Sequence, residues 1–136
     1  VSLQITRRER FSAGHRLFNP NFSDEKNSEV FGACSNPSGH GHNYVLEVTL
    51  EGEIDPSTGY VFDLKQLSDI IQKVVIADVD HRNLNQDVEW LKGLNPTAEN
   101  LASVIWDRLE AELPQGLLRR VAVRETEKNW AERLKA

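Results

Sequence analysis

The chain has 136 residues and a mass of 15.4 kDa, the size of one ordinary domain, with a formal net charge of -5 and a pI near 5.4. An acidic balance argues against nucleic acid as a partner, because phosphate backbones attract basic surfaces. The single cysteine cannot form an internal disulfide and no stretch reads as a signal peptide or membrane span, so the expectation is one domain over residues 1–136 in the reducing cytoplasm.

In chain order, "LQITRRERF" alternates loosely, with Leu3, Ile5 and Phe11 on one parity, and predicts a first strand running on toward His15. "NYVLEVTLEGEI" alternates more strictly: Tyr44, Leu46, Val48 and Leu50 share one face, Glu47, Thr49 and Glu51 the other. "DPSTG" reads as a turn with Pro56 presetting the backbone, followed by a short strand "YVFD". Asp63 is then a helix N-cap with Gln66 in the capping-box position, and Leu64, Leu67, Ile70, Ile71, Val74 and Val75 recur at helical spacing. A second helix follows Thr97, with Leu101, Val104, Ile105 and Leu109 as its stripe and Pro114 and Gly116 ending the segment. "LLRRVAVRET" and "NWAERL" predict a last pair of strands. The order β-β-α-α-β-β is an α+β arrangement with two helices on one face of an antiparallel sheet.

Two clusters of arginines, Arg7, Arg8 and Arg10 near the start and Arg119, Arg120 and Arg124 near the end, are either solvated strand faces or a pocket for a phosphorylated metabolite. The denser chemistry lies in "CSNPSGHGHNY", residues 34–44. His40 and His42 project to the same side of an extended segment, and Gly39 and Gly41 let the backbone pass close to an ion. Alone, this is half a metal site or an exposed polar turn. His15, on the parity of Phe11 and Ala13, is a hydrogen-bonded core histidine or the third member of a three-histidine zinc set with an open fourth position.

Cys34 has three readings: a small buried hydrophobe, a fourth ligand that closes a structural zinc site, or a free thiol that becomes a thiolate base. Asp80 and His81 either cap a helix end or form a proton relay for that thiol. Glu125 shares the parity of Val121 and Val123, where an apolar residue is expected. It lies at a solvated strand end, or it accepts two hydrogen bonds from the N–H/NH2 edge of a guanidine-like heterocycle.

The segments "FSAGHRL", "SDEKN" followed by "FGACSNPSGHGHNY", "GEIDPSTGYVFDL", "DHRNLN", "PTAEN" with "IWDRL" after it, and "VRETEKN" together resemble the 6-pyruvoyltetrahydropterin synthases of the tunnelling fold, or T-fold, nearly end to end. The five residues between Cys34 and His40 are similar to the pyruvoyl-forming branch; the related 6-carboxytetrahydropterin synthases of the queuosine pathway typically have a shorter gap. The resemblance implies a four-stranded antiparallel sheet with two helices on one face, three subunits closing a barrel, and two trimers stacking into a homohexamer with sites between subunits. It implies zinc on His15, His40 and His42, Cys34 as the proton-abstracting base with Asp80 and His81 completing its relay, and Glu125 anchoring the pterin ring with help from Thr97. Ala98 stands where many relatives carry a second hydroxyl, a departure from the family's pattern at that contact to the pterin. The implied reaction converts 7,8-dihydroneopterin triphosphate to 6-pyruvoyltetrahydropterin and triphosphate, with the terminal arginines as candidates for the triphosphate. The carboxy-forming activity, or a non-enzymatic zinc protein using Cys34 as fourth ligand, are the alternatives.

Overall fold

In the computed structural model, which describes residues 1–136, β1 (Ser2–His15) and β2 (His40–Glu53) pair antiparallel along their whole length, from Ser2 opposite Glu53 to His15 opposite His40. β4 (Leu118–Arg124) pairs with β2, and β5 (Trp130–Leu134) with β4, both antiparallel. A two-residue β3 (Arg82–Asn83) lies parallel to the end of β1, at Ala13 and Gly14, giving the order β3-β1-β2-β4-β5. The helices are α1 (Asp24–Phe31), α2 (Leu64–Ile71), the single turn α3 (Ala77–Val79) and α4 (Ala98–Glu110).

The alternation in β2 sets the core. Tyr44, Leu46, Val48 and Leu50 are at most 1% exposed and join Leu67 and Ile71 of α2 and Leu101, Ile105 and Leu109 of α4 in one apolar cluster. Each such side chain contributes roughly 1.5–3 kcal/mol by leaving water. Asp63 and Thr97 cap their helices as expected, accepting the N–H groups of Lys65 and Asn100. No helix is long and apolar enough to cross a membrane.

Four local expectations need correction within this α+β class. "YVFD" is a bend rather than a strand: the Asp55 N–H donates to the Tyr60 carbonyl at 2.8 Å, closing a loop that leaves no ladder for a strand to join. Gln66 makes no return bond to the start of α2. The sheet has a fifth strand, the short parallel β3, beside the four antiparallel ones. Helix α1 was not anticipated; Ser23 caps it by accepting the Lys26 N–H, and Asp24 and Glu25 suit its positive end. Only Asn27 of that helix is buried, so there was no apolar stripe to read.

The sheet face away from α2 and α4 is not simply solvated. Glu47 is 6% exposed there, accepting hydrogen bonds from Arg8 at 2.6 Å and Arg120 at 3.1 Å, with Arg124 Nε at 3.5 Å. Arg7 pairs with Glu9 and Arg119 with Glu51. Five of the six clustered arginines are thus engaged by carboxylates of their own chain, which favours the paired strand face over a phosphate pocket.

Burial opposes ionisation of Glu47, but the hydrogen bonds from Arg8 and Arg120 and the nearby charges hold its carboxyl below the usual glutamate range. A depressed pKa stabilises the fold above the unfolded-state value, and that stability is lost as pH falls through the folded-state value. Glu47→Gln is therefore expected to lower stability by about 2 kcal/mol at pH 7, with the deficit shrinking below the ordinary glutamate range. Thermal or urea denaturation across pH checks this; a deficit independent of pH would contradict it.

Candidate functional site

The β1–β2 register brings the histidines together. His15 ends β1 opposite His40, which begins β2, and His42 follows on the same face. Gly39, at φ 72, precedes them, and a Cβ there would meet the His15 carbonyl oxygen at 3.0 Å, so only glycine lets β2 start this close to β1. His15 Nε2 and His40 Nε2 are 3.1 Å apart, and Glu125 Oε1 lies 2.8 Å from His42 Nε2 and 3.7 Å from His15 Nε2. One ligand atom from each of these four residues falls within 4.8 Å of the others. Tetrahedral zinc with bonds of about 2.0–2.1 Å holds ligand nitrogens about 3.3 Å apart, so the grouping has the right scale.

The protonation pattern fits a cation as well. His15 is fully buried, and its Nδ1 lies 2.8 Å from the Pro96 carbonyl, which can only accept, so Nδ1 carries the proton and the Nε2 lone pair faces the cluster. His42 Nε2 is buried without a hydrogen-bond partner, because the short approach of Glu125 is off the hydrogen-bond direction. A buried imidazole nitrogen left so is unfavourable unless a cation engages it. Burial lowers the pKa of His15 and of His42, more than the Glu125 charge raises them, and keeps their lone pairs available for a metal near neutrality. The residues present fit zinc.

Tyr44 is a member of this site that sequence reasoning placed only in the core. Its ring stacks on Phe11 with centroids 4.8 Å apart, and its hydroxyl lies 3.3 Å from His15 Nδ1. Burial, then the charges of Glu125 and Cys34, push the phenol far up and keep it neutral. The available signal was parity, since Tyr44 follows His42 by two residues in the same strand.

Cys34 sits half-buried on a 3-10 turn, Gly32–Ser35. Two bonds fasten that turn to the chain leaving β1: the Leu17 N–H donates to the Cys34 carbonyl, and Arg16 Nε–H donates to the Ser35 carbonyl, both at 2.8 Å. The thiol is outside the four-residue ligand group.

Glu125 faces two ways. It approaches the histidines, and it lines a cleft of about 570 Å³ with Ala98, Glu99, Lys128, Asn129 and Trp130. Thr97 stands next to that cleft at the start of α4, its hydroxyl accepting the Asn100 N–H at 3.1 Å, and Ala98 presents a methyl group there.

Asp80 and His81 lie elsewhere. Asp80 Oδ1 accepts the Ser12 N–H at 2.9 Å, holding β1 rather than capping its own helix, and Oδ2 is 3.0 Å from His81 Nδ1. The Ser12 bond, more than the His81 contact, holds the Asp80 carboxyl below its usual range. The His81 side chain is 82% exposed and borders a shallow cleft of about 400 Å³ that His42 also touches. Neither residue hydrogen-bonds to Cys34 within the chain.

Residues 4–135 match the model of the family described as 6-pyruvoyl tetrahydropterin synthase. The chain is similar to the 6-pyruvoyl tetrahydrobiopterin synthase of Homo sapiens, 47% identical over 126 residues that cover 93% of this chain and 87% of that protein. It is likewise 49% identical to the Drosophila melanogaster protein of the same name over 127 residues, 92% of this chain and 75% of the relative. The structure of Caenorhabditis elegans 6-pyruvoyl tetrahydropterin synthase superposes with a TM-score of 0.94 at 40% identity, covering 100% of this chain and 97% of that one.

Proposed function

The chain belongs to the 6-pyruvoyl tetrahydropterin synthase family, and we propose that it acts as one domain, a zinc-dependent lyase converting 7,8-dihydroneopterin triphosphate to 6-pyruvoyltetrahydropterin and triphosphate. The observation that carries this reading is the convergence of His15, His40 and His42, with Glu125, on one point, with the Cys34 turn fastened to the chain two residues beyond His15.

In this reading His15, His40 and His42 hold zinc, and His15 is aligned by the Pro96 carbonyl behind it. A zinc ion there supplies Lewis-acid polarisation of the substrate's side-chain oxygens. Cys34, as thiolate, takes a proton from the side chain while triphosphate leaves and the side chain tautomerises to two ketones; the oxidation is internal, so no redox cofactor is involved. Glu125 accepts the N–H/NH2 edge of the pterin from the cleft it lines, with Thr97 at the rim and no second hydroxyl at Ala98.

Asp80 and His81 complete the relay from a neighbouring chain. Two observations support this: neither residue bonds to Cys34 within one chain, and the outer edges of β5 and of β1 before Ala13 have no strand partner in the chain. Identical chains can pair edge to edge there, in keeping with a homohexamer whose sites lie between subunits.

Incubation of the zinc-loaded protein with 7,8-dihydroneopterin triphosphate, followed by mass spectrometry of the pterin, tests the reading. The expected result is a pyruvoyl product with released triphosphate. A carboxy product with acetaldehyde would move the chain to the queuosine-type activity on the same site, and no turnover by zinc-loaded protein would sink both.

A further inference from the structure

The Asp80–His81 pair follows a helix that changes its own register. After α2 the chain makes a π turn over Gln72–Ile76, in which the Ala77 N–H reaches back five residues to the Gln72 carbonyl, and then the single turn α3. Asp80 leaves in extended conformation, and His81 follows at φ 60, which is unfavourable for a residue with a Cβ. A π turn holds one residue more than an α turn, and one helical residue corresponds to about 100° of rotation. The register held at Gln72–Ile76 therefore decides the direction in which Asp80 and His81 emerge.

Side chains from two other elements grip that segment. Arg108 of α4 donates its Nε–H to the Val74 carbonyl, inside the π turn, at 2.8 Å. Its terminal nitrogen lies 3.4 Å from Asp78 Oδ2, the oxygen that also accepts the Trp90 Nε1–H at 2.9 Å. The guanidinium stacks 4.5 Å from the centre of the Trp90 ring, which fixes its plane. Arg108 thus bridges the π turn and α3, with one contact inside the register change and one just after it. It makes no hydrogen bond or ion pair with the residues of the candidate site.

We propose that Arg108, through Val74, Asp78 and Trp90, is a positioning residue that sets the orientation of the Asp80–His81 pair; its consequence for turnover rests on the reading that this pair moves protons for Cys34. The downstream end is held independently, by the His81 N–H donating to the Ser12 carbonyl at 2.6 Å and the Ser12 N–H donating to Asp80. Loosening the upstream anchor releases the imidazole without touching the zinc ligands.

The test uses the full, zinc-loaded chain with Arg108→Met and Arg108→Lys. Methionine keeps bulk but removes both donors; lysine keeps a cation that can reach the Val74 carbonyl. The measurements are kcat and KM for 7,8-dihydroneopterin triphosphate and the NMR resonances of the four imidazoles. The expected result for R108M is a roughly tenfold lower kcat with KM within about twofold, and shifted His81 resonances while those of His15, His40 and His42 stay in place. R108K should recover most of the kcat. Unmoved His81 resonances in R108M overturn the proposal whatever turnover shows, whereas moved resonances with unchanged kcat sustain the positioning and sink the relay. If R108M unfolds or loses zinc, Asp78→Asn carries the same two readouts, because it keeps the Trp90 acceptor and removes only the charge facing Arg108.

Discussion

Cys34→Ala is expected to leave the zinc content of the protein unchanged and to lower kcat by about 10²–10⁴-fold, the range for loss of a positioned proton-transfer group. The geometry behind this is the exclusion of Cys34 from the ligand group. The residue that joins the histidines is a carboxylate, Glu125, which also faces the neighbouring cleft, and the thiol sits on a separate turn fastened through Leu17 and Arg16. Tyr44 is fully buried and held neutral, so its phenol does not compete with Cys34 as a base. Metal analysis and turnover on the same sample decide the matter. Loss of zinc in Cys34→Ala would make the thiol a ligand and the site structural, and full turnover would remove the thiol from the mechanism.

His42→Ala is expected to abolish turnover and weaken zinc binding by at least about 100-fold, since losing even an outer partner of a metal ligand typically costs 10–100-fold. His42 is the informative choice because His15 is fully buried and bonded to Pro96 and Tyr44, so that its removal would disturb packing as well. The pH dependence follows from the same burial. Burial holds the pKa values of His15 and His42 below the ordinary imidazole value, so these two ligands resist protonation as pH falls and should favour zinc retention into mild acid. Competition with a chelator across pH measures both effects. A His42→Ala protein that holds zinc as tightly as its parent would exclude the three-histidine site.

The three histidines were legible in the sequence because the relevant information is local. A period of two puts His40 and His42 on one face, and His15 follows the parity of Phe11 and Ala13 out of the core. Glu125 was legible as a break in the apolar parity of Val121 and Val123, and Asp63 and Thr97 as caps. Helix α1 escaped for the opposite reason. Its signal was the Ser23 cap alone, without an amphipathic stripe behind it.

What the chain determined by itself, then, is the class of fold and the list of chemically able residues, since strand alternation, helix stripes and caps depend on neighbours a few positions apart. Distances and partners came only from the folded chain. That His15 meets His40 at 3.1 Å depends on a strand register propagated from Ser2 opposite Glu53, and the tautomer of His15 depends on a carbonyl 81 residues away. The burial of Glu47 among Arg8, Arg120 and Arg124, and the grip of Arg108 on Val74 and Asp78, likewise join groups that no spacing rule connects. Such contacts arise because strand pairing, and the packing of two helices on one face of the sheet, bring remote side chains within hydrogen-bonding reach, where partners offset their desolvation.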